Sequence, residues 1–137
     1  MDPNIWGPAA WKFLHSVTLA YPECPNDIDK TGMKNFFTNL KYVLPCNSCK
    51  NHFTDNLSKY PLTDDILCSK EKLVKWLIDI HNEVNKMNGK PIKSYIDMLS
   101  EFDNMYYNNR NIYYKYIIIM VIILIVLILL FLFLFFQ

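Results

Sequence analysis

Two cysteines three residues apart, Cys46 and Cys49 in the run Pro45-Cys46-Asn47-Ser48-Cys49, are the residues of this sequence best equipped for chemistry. If a helix starts at this point, the spacing puts both thiols on one side of its first turn, where unpaired backbone N–H groups and the helix dipole favour a thiolate. A lowered thiol pKa raises the thiolate fraction, and a neighbouring thiol lets attack and resolution take place within one molecule. A redox dithiol is therefore one reading. Half of a zinc site and two ordinary buried thiols are the others. Cys46, Cys49 and His52 can supply three metal ligands, but His15, Cys24, Cys68 and His81 stand apart, so no second close pair completes a tetrahedral set. A thioredoxin-like setting needs strands around the motif, and the flanking pattern is helical.

A dithiol that is oxidised repeatedly must pass two electrons onward, which side chains cannot do to oxygen unaided, so a cofactor is required. With three glycines in the chain, Gly7, Gly32 and Gly89, a G-x-G-x-x-G phosphate loop is excluded. Aromatic and amide side chains at helical spacing remain: Trp6, Trp11 and His15, then His52, then Trp76, His81, Asn82 and Asn85, then Lys90. His81 and Asn85 are four residues apart and Asn82 and Asn85 three, so they can share a face. Taken singly, the tryptophans read as packing, His81 as a hydrogen-bonded half-buried histidine and Lys90 as a surface lysine. Two asparagines inside a helix lower its propensity and ask for a reason.

The elements that must position these residues are helices, with no sustained period-two stretch that would mark a sheet. The first is expected from near Pro8 to about Ala20, with Ala10, Phe13, Leu14 and Val17 inward, ended by Tyr21-Pro22. A second carries Met33, Phe36, Phe37, Leu40, Val43 and Leu44 and stops at Pro45. A third starts at the Cys46 turn and runs through Phe53 and Leu57 to about Tyr60. A fourth, capped by Ser69, presents Leu73, Trp76, Leu77, Ile80 and Val84 before Gly89-Lys90-Pro91 ends it. A short fifth would turn Ile96, Leu99 and Phe102 inward. The expectation is an all-α fold: a four-helix bundle with a short fifth helix, about 100 residues, enough to be stable alone.

Residues 117–136 hold only Ile, Met, Val, Leu and Phe, and every Lys, Arg, Asp and Glu lies at or before Lys115. At about 1.5 Å per residue the run spans roughly 30 Å, the thickness of a bilayer's hydrocarbon, and it has no polar stripe for a solvent face. It reads as a C-terminal transmembrane helix. The chain divides into a helical domain (1–103), a polar and aromatic linker (104–116) and the anchor (117–136). The N-terminal residues offer no signal-peptide pattern, so the domain is expected on the cytosolic side of its membrane. Arg110 and Lys115 agree with positive-inside orientation, and Tyr106, Tyr107, Tyr113, Tyr114 and Tyr116 crowd the membrane entry. A net charge of +1 argues against a nucleic-acid partner.

Together these motifs resemble the Erv/ALR flavin-linked sulfhydryl oxidases. Trp6-Gly7 through Trp11 to His15 resembles that family's W-G-x-x-x-W-x-x-x-H. Pro45 to Phe53 resembles its P-C-x-x-C-x-x-H-F, and Trp76 through His81-Asn82, Val84 and Asn85 to Lys90 resembles its W-x-x-x-x-H-N-x-V-N followed by a lysine. The blocks occur in family order. The resemblance implies noncovalent FAD, with Cys49 beside the flavin and Cys46 exchanging disulfides with a dithiol client or carrier protein. It implies an FAD site lined by Trp6, Gly7, Trp11, His15, Cys49, His52, Trp76, His81, Asn82, Val84, Asn85 and Lys90, with no metal. Oxygen would be the final acceptor, giving hydrogen peroxide, and a homodimer is the implied assembly. Two departures stand out. The positions of a structural disulfide in many relatives are here Ile78 and Tyr95, and no second C-x-x-C is present to act as a shuttle. This short, anchored form resembles the oxidases of large cytoplasmic DNA viruses, which points to a viral or virus-associated membrane. The rival expectation is a tail-anchored zinc-binding or adaptor domain without catalysis.

Overall fold

The structure, a computed structural model, describes residues 1–135, apart from the side chains of 108–111. The last residue of the expected anchor, Phe136, lies outside the described residues, as does the side chain of Arg110. Six helices follow one another: α1 (Pro3–Leu19), α2 (Asp27–Val43), α3 (Asn47–Lys59), α4 (Asp64–Leu67), α5 (Lys70–Met87) and α6 (Tyr95–Phe135), with no strand among the described residues. The all-α expectation is met. Two compact units result, Met1–Tyr95 and the residues from Ile96 onward.

In the first unit, α1, α2, α3 and α5 form the bundle, with α1 packed on α5, α2 on α3, and α3 on α5. Local chemistry sets each start. The Asp2 carboxylate accepts from Asn4 N at 2.8 Å with Pro3 in the first turn, so α1 begins five residues earlier than Pro8 alone suggests. Asn26 and Asp29 form a reciprocal capping box on α2. Ser69 caps α5 through Lys72 N, as expected, and Thr63 caps the single-turn α4, an element the periodicity did not reveal. Gly89 adopts φ +63, the left-handed conformation that lets the chain turn off α5.

The core gathers Leu14, Phe37, Phe53, Leu67, Leu73, Trp76, Leu77 and Ile80, with Tyr21 donating its buried hydroxyl to Leu67 O at 2.9 Å. Two inward assignments in this unit need correction. Phe13 is 60% exposed and Val43 is 68% exposed. The buried residues of α1 are Leu14, His15 and Thr18, a stripe shifted toward polar positions, and Thr18 is tolerated inside because its hydroxyl donates to His15 O at 2.9 Å. Val43 sits at the very end of α2, where the helix leaves the packed region.

In the second unit one helix runs unbroken through residues 104–116, expected as linker, and on through the apolar run. Its early apolar stripe is Met98 and Phe102, both buried, whereas Ile96 is 76% exposed and does not turn inward. The apolar stretch is long enough to cross a membrane, and none of it is buried.

Candidate active site

Cys46 is the residue that caps α3. Its Sγ accepts from the Cys49 N–H at 3.3 Å and lies 3.0 Å from Ser48 Oγ. The helix start thus concentrates donors on one sulfur, and the Cys46 thiol is lowered to about 7 by the Cys49 thiol, the Ser48 hydroxyl and the Cys49 N–H. Cys49, one turn inside, has the opposite environment. Burial pushes its thiol pKa up, and sharing a proton with Cys46 adds to the shift. Both thiols are free and partly exposed. The sequence placed both thiols where a helix start favours a thiolate; the structure gives that effect to Cys46, whose sulfur at the N-cap accepts the N–H group.

A second cluster bridges α1 and α5. Trp11 stacks on His81 with ring centroids 3.9 Å apart and planes 6° from parallel, while His15 Nε2 and His81 Nδ1 are 2.9 Å apart. Burial lowers His81 to about 3, and His15, Lys93 and Lys90 push the same way, so its imidazole is neutral at pH 7. Lys90 and Lys93 therefore place positive charge within electrostatic reach of this pair.

The loop after α5 is held by Asn82. Its side-chain N donates to Lys93 O at 2.8 Å and its side-chain O accepts from Lys93 N at 3.0 Å. Lys90 N donates to the backbone carbonyl of Asn85 at 2.8 Å, and the backbone carbonyl of Val84 accepts from Asn88 N at 3.1 Å, so main-chain bonds close the turn that carries Lys90. The two bonds of the Asn82 side chain to Lys93 are a reason for an asparagine at that helical position. Trp76, 4% exposed, meets Phe37 edge to face at 5.0 Å and donates its Nε1 to Tyr60 O at 2.9 Å.

The structure thus brings Trp11, His15 and His81 together, pairs Cys46 with Cys49, and seats Trp76 against the end of α3. His52 and Lys90 are exposed, and Trp6 and Gly7 lie half-buried in the second turn of α1. The Trp6 Nε1 is buried without a partner, as is the side-chain N of Asn56. Sequence reasoning missed Ser48, Lys93 and Asn56. Ser48 was visible between the cysteines; Lys93 and Asn56 matter only through what the fold packs beside them. Among the described residues no three His, Cys, Asp or Glu side chains gather as metal ligands.

Comparison with known proteins places these features in context. Residues 8–107 match the model of a family described as the Erv1 / Alr family. A probable FAD-linked sulfhydryl oxidase of Acanthamoeba polyphaga mimivirus is 46% identical over 103 residues, 75% of this chain and 72% of that protein. An FAD-linked sulfhydryl oxidase of African swine fever virus is 35% identical over 101 residues, 74% of this chain and 79% of that one. The crystal structure of the FAD-binding domain of Erv1 from Saccharomyces cerevisiae superposes with a TM-score of 0.64 at 34% identity, covering 69% of this chain and 87% of that one.

Proposed function

The chain belongs to the Erv1 / Alr family, and on that premise we propose that Cys46 and Cys49 take electrons from protein dithiols and hand them to a bound FAD. It is an FAD-dependent sulfhydryl oxidase. The observation that carries the site assignment is the asymmetric thiol pair at the start of α3, a helix packed on the one that presents Trp76 and His81.

The residues present fit FAD. Its flat ring systems need aromatic walls, which Trp11, His81 and Trp76 offer; its diphosphate needs cations, which Lys90 and Lys93 bring to the His15–His81 pair. The Trp6 Nε1, buried with no acceptor, is a donor waiting for one. Trp6, Gly7, Trp11, His15, Cys49, His52, Trp76, His81, Asn82, Val84, Asn85 and Lys90 are the proposed cofactor residues, with the Asn82 side chain holding the loop at Lys93 and the backbone carbonyls of Val84 and Asn85 closing the turn before it. When bound, FAD accepts an electron pair and can pass it to oxygen.

The thiol chemistry follows from the two sulfurs. In the oxidised enzyme a client thiolate attacks Cys46, the less buried sulfur, and Cys49 leaves with the electron pair. The second client thiol then attacks the mixed disulfide, and Cys46 departs as a thiolate, for which a pKa of about 7 makes it a good leaving group. The client now holds a disulfide. Cys46 and Cys49 hold two electrons between them, and reforming their own bond releases that pair toward the cofactor.

Oxygen as final acceptor would make the second product hydrogen peroxide. With no second C-x-x-C in this sequence, the client is proposed to be a separate dithiol protein that reaches Cys46 directly. The apolar tail supports a single-pass anchor and the viral relatives support a virus-associated membrane, with the catalytic domain proposed to face the cytosol. A homodimer is the proposed assembly, for which the exposed Phe13 is a candidate contact.

The purified protein in detergent is expected to be yellow and to consume oxygen with a small dithiol, releasing hydrogen peroxide. Cys49→Ser should keep the flavin spectrum and lose turnover. Colourless protein, inactive after incubation with FAD, would overturn the reading.

A further inference from the structure

The side-chain N of Asn56 is buried and has no hydrogen-bond partner in the protein, on a residue only 6% exposed. Such a donor is costly to maintain, because it has given up water and gained nothing in exchange. Its position on α3 tells what could satisfy it. Asn56 lies seven residues after Cys49 and three after the buried Phe53, so all three share one stripe of the helix, Asn56 about 10 Å along the axis from the redox sulfur. One turn further on, Tyr60 O receives the Nε1 of Trp76, the indole proposed as a cofactor wall. The unpartnered donor therefore stands, along α3, between the reactive thiol and the carbonyl that receives that indole.

We propose that Asn56 is a further positioning residue for FAD, donating its amide hydrogen to an acceptor atom of the cofactor and so fixing it relative to Cys49. The inference rests on the FAD reading above. The flavin is rich in carbonyl and ring-nitrogen acceptors, and α3 then holds the cofactor at two places on one rigid helix, the sulfur and the amide. Two points on a helix define both distance and tilt, which one thiol cannot do.

The test compares the full-length protein with Asn56→Leu, which has nearly the same volume and no donor, in detergent. FAD affinity is read by fluorescence on titration of apoprotein, and thermal stability is measured with and without FAD. Asn56→Leu should leave the apoprotein as stable as before, or more so, since the unsatisfied group is gone, while FAD binds about tenfold more weakly and its absorbance band shifts. Should the leucine variant fail to fold, Asn56→Ala adds no bulk and is read the same way. Unchanged FAD affinity and spectrum in a folded variant overturn the proposal. So does an equal loss of stability in apo and FAD-bound protein, which would make Asn56 a structural residue. If the unsubstituted protein takes up no FAD, the parent reading fails as well, and the two failures are told apart by that control.

Discussion

Ser48 is the smallest group in the site with a definable electronic task. Its hydroxyl 3.0 Å from Cys46 Sγ helps to hold that thiol at about 7, after the larger contribution of Cys49. Ser48→Ala should therefore move Cys46 back toward the ordinary thiol range, slowing its alkylation by iodoacetamide at pH 7 by several-fold while leaving the rate above pH 9 unchanged. Mass spectrometry of the reduced protein assigns the label to Cys46. His81 makes the opposite kind of prediction. Burial keeps it neutral in the folded chain down to about pH 3, whereas the unfolded chain protonates it near 6.5. The unfolded state then binds the extra proton, so stability is full above pH 6.5 and declines as pH falls below it. Thermal melts between pH 7.5 and 5 should show this decline, and His81→Gln should flatten it.

At the scale of elements, the contacts between helices are few and specific enough to be removed one at a time. Asn82 holds the loop after α5 by two hydrogen bonds to Lys93. Asn82→Ala leaves both backbone groups of Lys93 without that partner and should cost about 1–3 kcal/mol. The loss of Lys90 placement should weaken FAD binding more than the melting temperature alone implies, which parallel melts and FAD titrations will separate. Phe37, fully buried and edge to face with Trp76, joins α2 to α5. Phe37→Ala should cost about 3–5 kcal/mol, enough to unfold much of a marginal domain. Glu83 of α5 is shared by Lys59 of α3 at 2.5 Å and by Lys86 of its own helix at 2.6 Å; with both lysines more than half exposed, these pairs are expected to add little to stability.

For the whole molecule, the first unit carries its own core and every candidate site residue, whereas the second is one helix ending in an apolar run. Separation of the two jobs is the expected outcome: a chain ending at residue 103 should be soluble, monodisperse and yellow with FAD. The full chain should remain with lipid vesicles after alkaline carbonate extraction. Recovery of the full chain in the aqueous fraction would show that the apolar helix does not anchor it.

The sequence by itself determined the chemistry and the element types. Residue spacing decides which face of a helix a side chain occupies, so the dithiol at the start of α3, the Ser69 cap and the aromatic faces of α1 and α5 were all legible from local pattern. Gly89 likewise announced the end of α5, because few other residues accept its backbone angle. What stayed hidden depends on which faces the helices turn toward one another. Phe13 satisfied the period of a buried stripe yet stands outside, while His15 and Thr18 went inside because tertiary and backbone hydrogen bonds receive them. The unequal environments of Cys46 and Cys49, the partnering of His15 with His81 across 66 residues, and the stranded amide of Asn56 belong to the same class. Burial and long-range partners fix a group's pKa and its unmet hydrogen bonds, and those exist only once the helices have packed.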